Sequence, residues 1–285
     1  MKIIDAHIHF SRIAAFEDCA IRTSLVDYSE RGYAVEAKDN EIVHSVCMGL
    51  GETAPAGFPD PGAITPMTAD IADRLPSGMS LCLGINPHTL DESRLAGMEE
   101  LIAQTRIVAG FKIYAGYYHF HVTDSVYDPV YDLAERYDLA TAIHTGDTYS
   151  GRGLLKYAHP LCLDELAVRR PALRIVACHM GVPWVFDACE VCAKNSNVYI
   201  DLSGMLVGSA GYIQKMAGNP LILDRYRQAL SYLDDYDKVL FGTDWPLAPM
   251  GAYIDFCKQL IPQEFHGKVF YANAADVYRI GPERS

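Results

Sequence analysis

Residues 1–10 read MKIIDAHIHF, an apolar run that ends in two histidines separated by one residue. The run predicts a short strand over residues 2–6, because it is continuously apolar, as in parallel strands that are buried on both faces. Seven further runs of this kind follow at intervals of about 34 residues, at 42–50, 79–85, 108–113, 140–144, 173–178, 198–202 and 238–241. The sequence therefore predicts eight buried strands.

Helix-like stretches separate these strands, at residues 91–105, 126–137, 161–170, 185–194 and 225–234. Eight strands alternating with helices in 285 residues are typical of an α/β protein with a (β/α)8 TIM barrel. An open doubly wound sheet is the alternative, but no G-x-G-x-x-G motif follows the first strand. Because no linker or internal repeat is visible, we expect a single distorted barrel domain over residues 1–285. Residues 11–40, 51–66 and 114–124 are too long for simple connections, and we expect them to form inserted loops or an extra helix at the barrel mouth.

The composition excludes several classes of function. A formal net charge of −12 makes nucleic acid and anionic membranes poor partners, because both require a cationic surface. The N-terminus lacks the pattern of a signal peptide, and no apolar stretch approaches the roughly 18 residues that span a bilayer. We expect a cytoplasmic protein with reduced cysteines and a small-molecule substrate, and self-association into a homo-oligomer remains open.

Polar side chains with catalytic or metal-binding chemistry lie in or directly after five of the predicted strands. They are His7, His9, Lys112, His144, His179 and Asp244. In a barrel, the active site forms at the C-terminal ends of the strands. Side chains at i and i+2 of a strand point to the same face, so the two histidines of DAHIH can reach one ion. Any one of these histidines alone is better explained as a hydrogen-bonded core residue, but the whole set favours nitrogen and oxygen ligation of Zn²⁺ or a similar ion.

The motifs together resemble the amidohydrolase superfamily, in particular its amidohydrolase 2 branch of metal-dependent hydrolases and decarboxylases. They are DAHIH at 5–9, GFK at 110–112, IHTG at 143–146, CHMG at 178–181, GTDWP at 242–246 and NAADVYRI at 273–280, nearly the whole length of the chain. The resemblance implies that His7, His9, His144 and Asp244 are metal ligands. It further implies that His179 is catalytic or orients the substrate, and that Asp244 also carries a proton.

Four other residues are candidates for contact with the substrate. Lys112 is either a cation near the barrel mouth or, as in binuclear relatives, a carboxylated bridge between two metals; in that case His179 joins the ligands. Arg152 lies between two glycines after the fifth strand and is a candidate for holding a substrate carboxylate. His119 and His121 form a second His-x-His in a tyrosine-rich loop, where they either line the pocket or are solvated.

We expect one divalent ion, Zn²⁺ first and Mn²⁺ as an alternative, in a metal-dependent hydrolase. Water acidified by the ion would attack a carbonyl, lactone or amide of a small polar substrate that carries a carboxylate. The first alternative is a non-oxidative decarboxylase of the same family, in which Asp244 protonates carbon. The second is a metal-binding barrel without activity.

Overall fold

Eight parallel strands form one sheet in the computed structural model, which describes residues 1–11, 13–51, 76 and 78–281. Neighbouring strands pair in chain order from β1 to β8. Their bounds are Ile3–Ile8 (β1), Ile42–Met48 (β2), Met79–Ile85 (β3), Val108–Ile113 (β4), Ala140–Ile143 (β5), Arg174–Ala177 (β6), Val198–Asp201 (β7) and Val239–Leu240 (β8). All eight predicted strands are thereby confirmed, with ends that differ by at most two residues.

The sheet closes on itself where β1 meets the segment that follows β8. The amide of Ala6 donates to the carbonyl of Phe241 at 2.9 Å, and the amide of Asp244 donates to the carbonyl of His7 at 2.8 Å. Ile8 and Trp245 form a parallel bridge one step further. The fold is therefore the TIM barrel that the strand rhythm predicts, and its closure places the HIH and TDW segments side by side.

Helices alternate with the strands in the described part of the chain. They span Ala14–Cys19, Glu30–Asp39, Glu92–Gln104, Asp128–Arg136, Leu155–Ala158, Cys162–Arg169, Val185–Lys194, Ala210–Ala217, Pro220–Leu233, Met250–Leu260 and Asn273–Val277. The five predicted helices are all present. The helix predicted over 225–234 begins earlier, at Pro220, because Asn219 caps its N-terminus and proline is well tolerated in the first turn. None of the described helices combines the length and apolar character needed to cross a membrane.

The two faces of the strands contribute to two different cores. One face packs against the helices through large side chains such as Phe111 and Ile175. The other face turns inward and carries smaller residues in alternation, for example Ala140 and Ala142 on β5. Burial on both faces explains why the strands are continuously apolar in sequence.

Two of the three long segments lie within the described residues, apart from position 12, and their described parts form the expected helix and loop. Residues 11–40 contain the helices Ala14–Cys19 and Glu30–Asp39, the first of which reaches the barrel mouth through Phe16. Residues 114–124 form a loop after β4. The loop predicted at 51–66 lies outside the described residues, apart from Gly51.

Candidate metal centre and active site

Three side chains from the two ends of the chain converge at the C-terminal end of the barrel. His7 and His9 extend from β1, and Asp244 follows β8 in a left-handed turn with φ of 62°. The Nε2 atoms of His7 and His9 lie 3.5 and 3.1 Å from Oδ1 of Asp244. One ligand atom from each residue lies within 4.8 Å of the other two. The strand alternation and the barrel closure together build this cluster.

The chemistry of this donor set fits a divalent cation. Nδ1 of His9 and Oδ1 of Asp244 are buried and have no hydrogen-bond partner among the described residues, which is costly unless another group satisfies them. Burial lowers the pKa of His7 and of His9, so both imidazoles are neutral and can offer a lone pair. Burial alone would raise the pKa of Asp244, but the neighbouring imidazoles of His179, His9 and His7 lower that pKa, which keeps the carboxylate ionised. Two neutral imidazoles and one carboxylate suit Zn²⁺ or Mn²⁺.

His144 and His179 form a contacting pair beside this cluster. Nε2 of His179 lies 3.1 Å from Nδ1 of His144, and Nε2 of His144 lies 2.8 Å from the carbonyl oxygen of Asp147. Nδ1 of His179 lies 3.8 Å from Oδ2 of Asp244. Burial lowers the pKa of His179 to about 4 and holds the pKa of His144 well below its ordinary value, so both rings are neutral. The structure thus brings both histidines to the site but places His144 against His179 and not against His7 or His9, and its role as a metal ligand stays a prediction.

Lys112 is buried inside β4 with its amine directed at the same site. Only 1% of the residue is exposed. Its Nζ lies 3.0 Å from Sγ of Cys178 and 3.5 Å from Nε2 of His7, and it lies 5.4 Å from the centre of the Tyr114 ring. Among the described residues, no carboxylate lies within ion-pair distance of this amine. A buried cation without an anionic partner is well placed to receive an anionic substrate group.

A cavity of about 340 Å³ opens above these residues. Its walls are mainly aromatic and aliphatic, and burial raises the pKa of Tyr114 and Tyr117, so these phenols remain neutral. The described residues that line it are His9, Phe16, Lys112, Tyr114, Tyr117, His144, Asp147, Tyr149, His179, Val182, Gly204, Met205, Leu206, Val207, Tyr212, Asp244 and Leu247.

Three residues predicted to contact the substrate lie elsewhere. His119 and His121 are exposed, and their rings contact Tyr157 at centroid distances of 5.9 and 4.6 Å. Arg152 is also exposed, and its carbonyl oxygen lies 3.1 Å from Nε2 of His119. None of the three is among the described residues that line the cavity. Their contact with the substrate stays a prediction that this placement does not support.

Asp201 and Ser203 have a larger part in the site than their sequence suggests. Asp201 is the last residue of β7 and Ser203 lies two positions later, which makes both of them candidates for lining the pocket. In the structure, Asp201 is completely buried beneath the cluster, with Oδ2 at 2.9 Å from Nδ1 of His7. Sequence alone shows that β7 ends in polar residues but not which histidine they contact.

One family model matches nearly the whole chain. The profile described as amidohydrolase matches residues 4–280. No curated protein sequence matches the chain.

Three solved structures are similar in fold over 98% of this chain. The 5-carboxyvanillate decarboxylase of Sphingomonas paucimobilis is 18% identical, with a TM-score of 0.65 over 99% of its own length. A probable 2-pyrone-4,6-dicarboxylic acid hydrolase of Acinetobacter baumannii is 16% identical, with a TM-score of 0.63 over 100% of its length. The 5-carboxyvanillate decarboxylase of Novosphingobium aromaticivorans, complexed with manganese and 4-hydroxy-3-methoxy-5-nitrobenzoic acid, is 14% identical, with a TM-score of 0.62 over 96% of its length. At these sequence identities, the similarity shows a shared fold and carries no information about the substrate.

Proposed function

The chain belongs to the amidohydrolase family, and from this premise we propose that it is a metal-dependent decarboxylase of a small aromatic carboxylic acid. The observation that carries the proposal is the combination of the His7, His9 and Asp244 cluster with a ring-lined cavity that holds a single buried amine. We propose one divalent ion, Zn²⁺ or Mn²⁺. The manganese-bound decarboxylase among the similar structures supports including Mn²⁺.

The shape and polarity of the cavity favour a flat ring with one acidic group. Phe16, Tyr114, Tyr117, Tyr149 and Tyr212 contribute aromatic side chains to its walls. Such walls bury the faces of an aromatic substrate, which is a favourable use of apolar surface. Among the described lining residues there is no arginine and no second lysine, so a substrate with several carboxylates would be poorly compensated.

The polar residues divide the work of binding and proton transfer. A divalent ion held by His7, His9 and Asp244 would supply Lewis-acid polarisation of a substrate oxygen. Lys112 would pair with the substrate carboxylate or with a phenolic oxygen beside it. His179, whose ring lies beside Asp244 and lines the cavity, would orient the substrate.

Asp244 would move the proton. Protonated on a carboxylate oxygen by the substrate hydroxyl or by water, it delivers that proton to the ring carbon that bears the carboxylate. The bond from this carbon to the carboxylate then breaks, its electron pair returns to the ring, and CO₂ leaves. Atoms and charge balance, since the carbon gains one proton and loses CO₂. Such a positioned acid contributes roughly 10²–10⁴-fold to the rate.

Hydrolysis, the reaction that the sequence motifs favour first, is the second candidate. Asp244 presents a buried carboxylate to the cavity and would accept a proton from an attacking water. Lactone or amide cleavage therefore uses the same residues. The two reactions differ in whether the proton goes to carbon or to a leaving oxygen or nitrogen.

One experiment with two isotopes tests the proposal. Protein reconstituted with Zn²⁺ or Mn²⁺ is incubated with hydroxybenzoic acids and with small lactones, in D₂O and separately in H₂¹⁸O. A decarboxylase releases CO₂ and incorporates one deuterium at the vacated ring carbon, whereas a hydrolase incorporates ¹⁸O into its product. Lactone opening without CO₂ from any acid would establish hydrolysis, and no turnover of either panel by the loaded protein would favour the inactive barrel. The Asp244→Asn variant serves as the control.

A further inference from the structure

The two oxygens of the Asp201 carboxylate have different partners. Oδ1 accepts three hydrogen bonds, from the backbone amide of His179 at 2.9 Å, from the backbone amide of Ser203 at 3.0 Å, and from the hydroxyl of Ser203. Oδ2 faces Nδ1 of His7 at 2.9 Å. The carboxylate is completely buried, so these partners replace its entire hydration.

We propose that Asp201 is a positioning residue that fixes the tautomer of His7, with the proton on Nδ1 and the lone pair of Nε2 directed at the metal centre. The inference deepens the proposed function, because it rests on the metal centre, but it is independent of whether the reaction is decarboxylation or hydrolysis.

The assignment follows from which atoms can donate. An ionised carboxylate only accepts hydrogen bonds, so Nδ1 of His7 must carry the proton. A neutral imidazole has one N–H, and Nε2 of His7 is therefore the acceptor. This Nε2 lies 3.5 Å from Oδ1 of Asp244, on the side of the ring where His9 also presents Nε2. A hydrogen bond to the remote nitrogen of a ligating histidine sets both its tautomer and its basicity.

His9 provides an internal contrast. Its Nδ1 is buried without a hydrogen-bond partner among the described residues, and its ring packs on Phe16 at 4.4 Å between centroids. Packing holds the orientation of the ring, and the contact of its Nε2 with Asp244 lies on the metal side, so no partner holds a proton on the remote nitrogen of His9. The preorganised ligand of the pair is thus His7, and Asp201 is the residue that preorganises it.

Asparagine at position 201 should then be worse than alanine. Three donors converge on the site of Oδ1, so the amide oxygen of asparagine must occupy it. The NH₂ group then faces Nδ1 of His7, which has to accept, and the ring proton moves to Nε2, the atom that should bind metal. Alanine imposes neither tautomer. A purely structural role predicts the opposite order, since asparagine preserves the volume of aspartate.

The test measures Zn²⁺ affinity of metal-free protein by competition with a chromophoric chelator. We expect Asp201→Ala to weaken binding roughly 10-fold and Asp201→Asn roughly 100-fold, within the range known for outer partners of metal ligands. The matched control is Asp164→Asn, because the carboxylate of Asp164 accepts hydrogen bonds from Lys194 and Asn195 and contacts no residue of the metal centre. Its Zn²⁺ affinity should stay within about threefold of that of the wild type.

Nitrogen-15 NMR of the imidazole rings in metal-free protein reads the tautomer directly. His7 should carry its proton on Nδ1 in the wild type and in Asp164→Asn, and on Nε2 in Asp201→Asn. A wild-type His7 protonated on Nε2 would overturn the proposal, as would Zn²⁺ binding to Asp201→Asn that is as tight as to Asp201→Ala. The wild-type spectrum decides even if a variant does not fold. The two measurements also separate the two proposals. If the proposed metal centre does not exist, the wild type will not bind Zn²⁺, whichever nitrogen of His7 carries the proton.

Discussion

Replacing Lys112 by methionine separates the contribution of the buried amine to substrate binding from its cost to the fold. Methionine has a similar length and no charge. Lys112 as a residue is 1% exposed, and the near neighbours of its amine are the thiol of Cys178 and Nε2 of His7, neither of which neutralises a cation. Removing a buried charge of this kind should raise the free energy of unfolding of metal-free protein by about 1–3 kcal/mol. A lost hydrogen bond to a charged substrate group is worth about 1.5–3 kcal/mol, so kcat/KM should fall roughly 10- to 150-fold.

Urea denaturation, steady-state kinetics and elemental analysis of the same preparations test these expectations. Lys215→Met is the matched control, because Lys215 is exposed on the helix Ala210–Ala217 and its replacement should change stability by less than about 0.5 kcal/mol. The metal content of Lys112→Met should equal that of the wild type. A variant that is no more stable than the wild type would refute the reasoning on the buried charge, and one that keeps its kcat/KM would refute the substrate contact. Loss of one ion per chain would instead show that Lys112 bridges two metals.

Three further predictions concern the site and the fold. Purified protein should hold about one divalent ion per chain by elemental analysis, and the double variant of His7→Ala with His9→Ala should hold none; a wild-type ratio near two would contradict a mononuclear centre. Asp244→Asn should lower turnover roughly 10²–10⁴-fold, while His179→Asn should lower turnover with its ion retained; near-normal turnover in the first or metal loss in the second would contradict the assigned roles. Burial lowers the pKa of the half-buried His44 to about 4, so the fold favours its neutral form and loses stability as the pH falls from about 6.5 to 4. In His44→Gln, this loss of stability should be smaller by about 1–2 kcal/mol, after discounting for solvent screening. If urea denaturation gives the variant the same difference in stability between pH 7 and pH 4 as the wild type, His44 does not cause the loss.

The strands were predictable because a strand that is buried on both faces has a continuously apolar sequence. A run such as VAGFKI at Val108–Ile113 needs no tertiary knowledge to be identified. The helix Met250–Leu260 carries the same kind of information, since its buried side chains recur at helical spacing, and a stricter search for that period would predict it. The helix Ala210–Ala217 has only Ile213 buried, so no periodic pattern distinguishes it from a loop.

The candidate site was predictable where strands position it and not where loops do. His7 and His9 point the same way because strand geometry requires it, and Asp244 joins them because the barrel closes between β1 and the end of β8. Arg152 and His119 belong to loops, whose course depends on contacts among residues far apart in sequence. A strand-end position therefore predicts convergence on the site, whereas a favourable residue type in a loop does not.

The two histidines of the His-x-His pair are held by different parts of the molecule, and this difference links metal binding to the barrel mouth. Nδ1 of His7 contacts Asp201, a residue of the barrel itself, whereas His9 packs on Phe16, which belongs to the short helix Ala14–Cys19. Phe16 also lines the cavity. A substitution at Phe16 that changes the fit of a substrate therefore changes the support of His9 as well. Specificity and metal affinity should vary together when this helix is altered, whereas changes elsewhere on the cavity wall, for example at Tyr212, should affect the substrate alone.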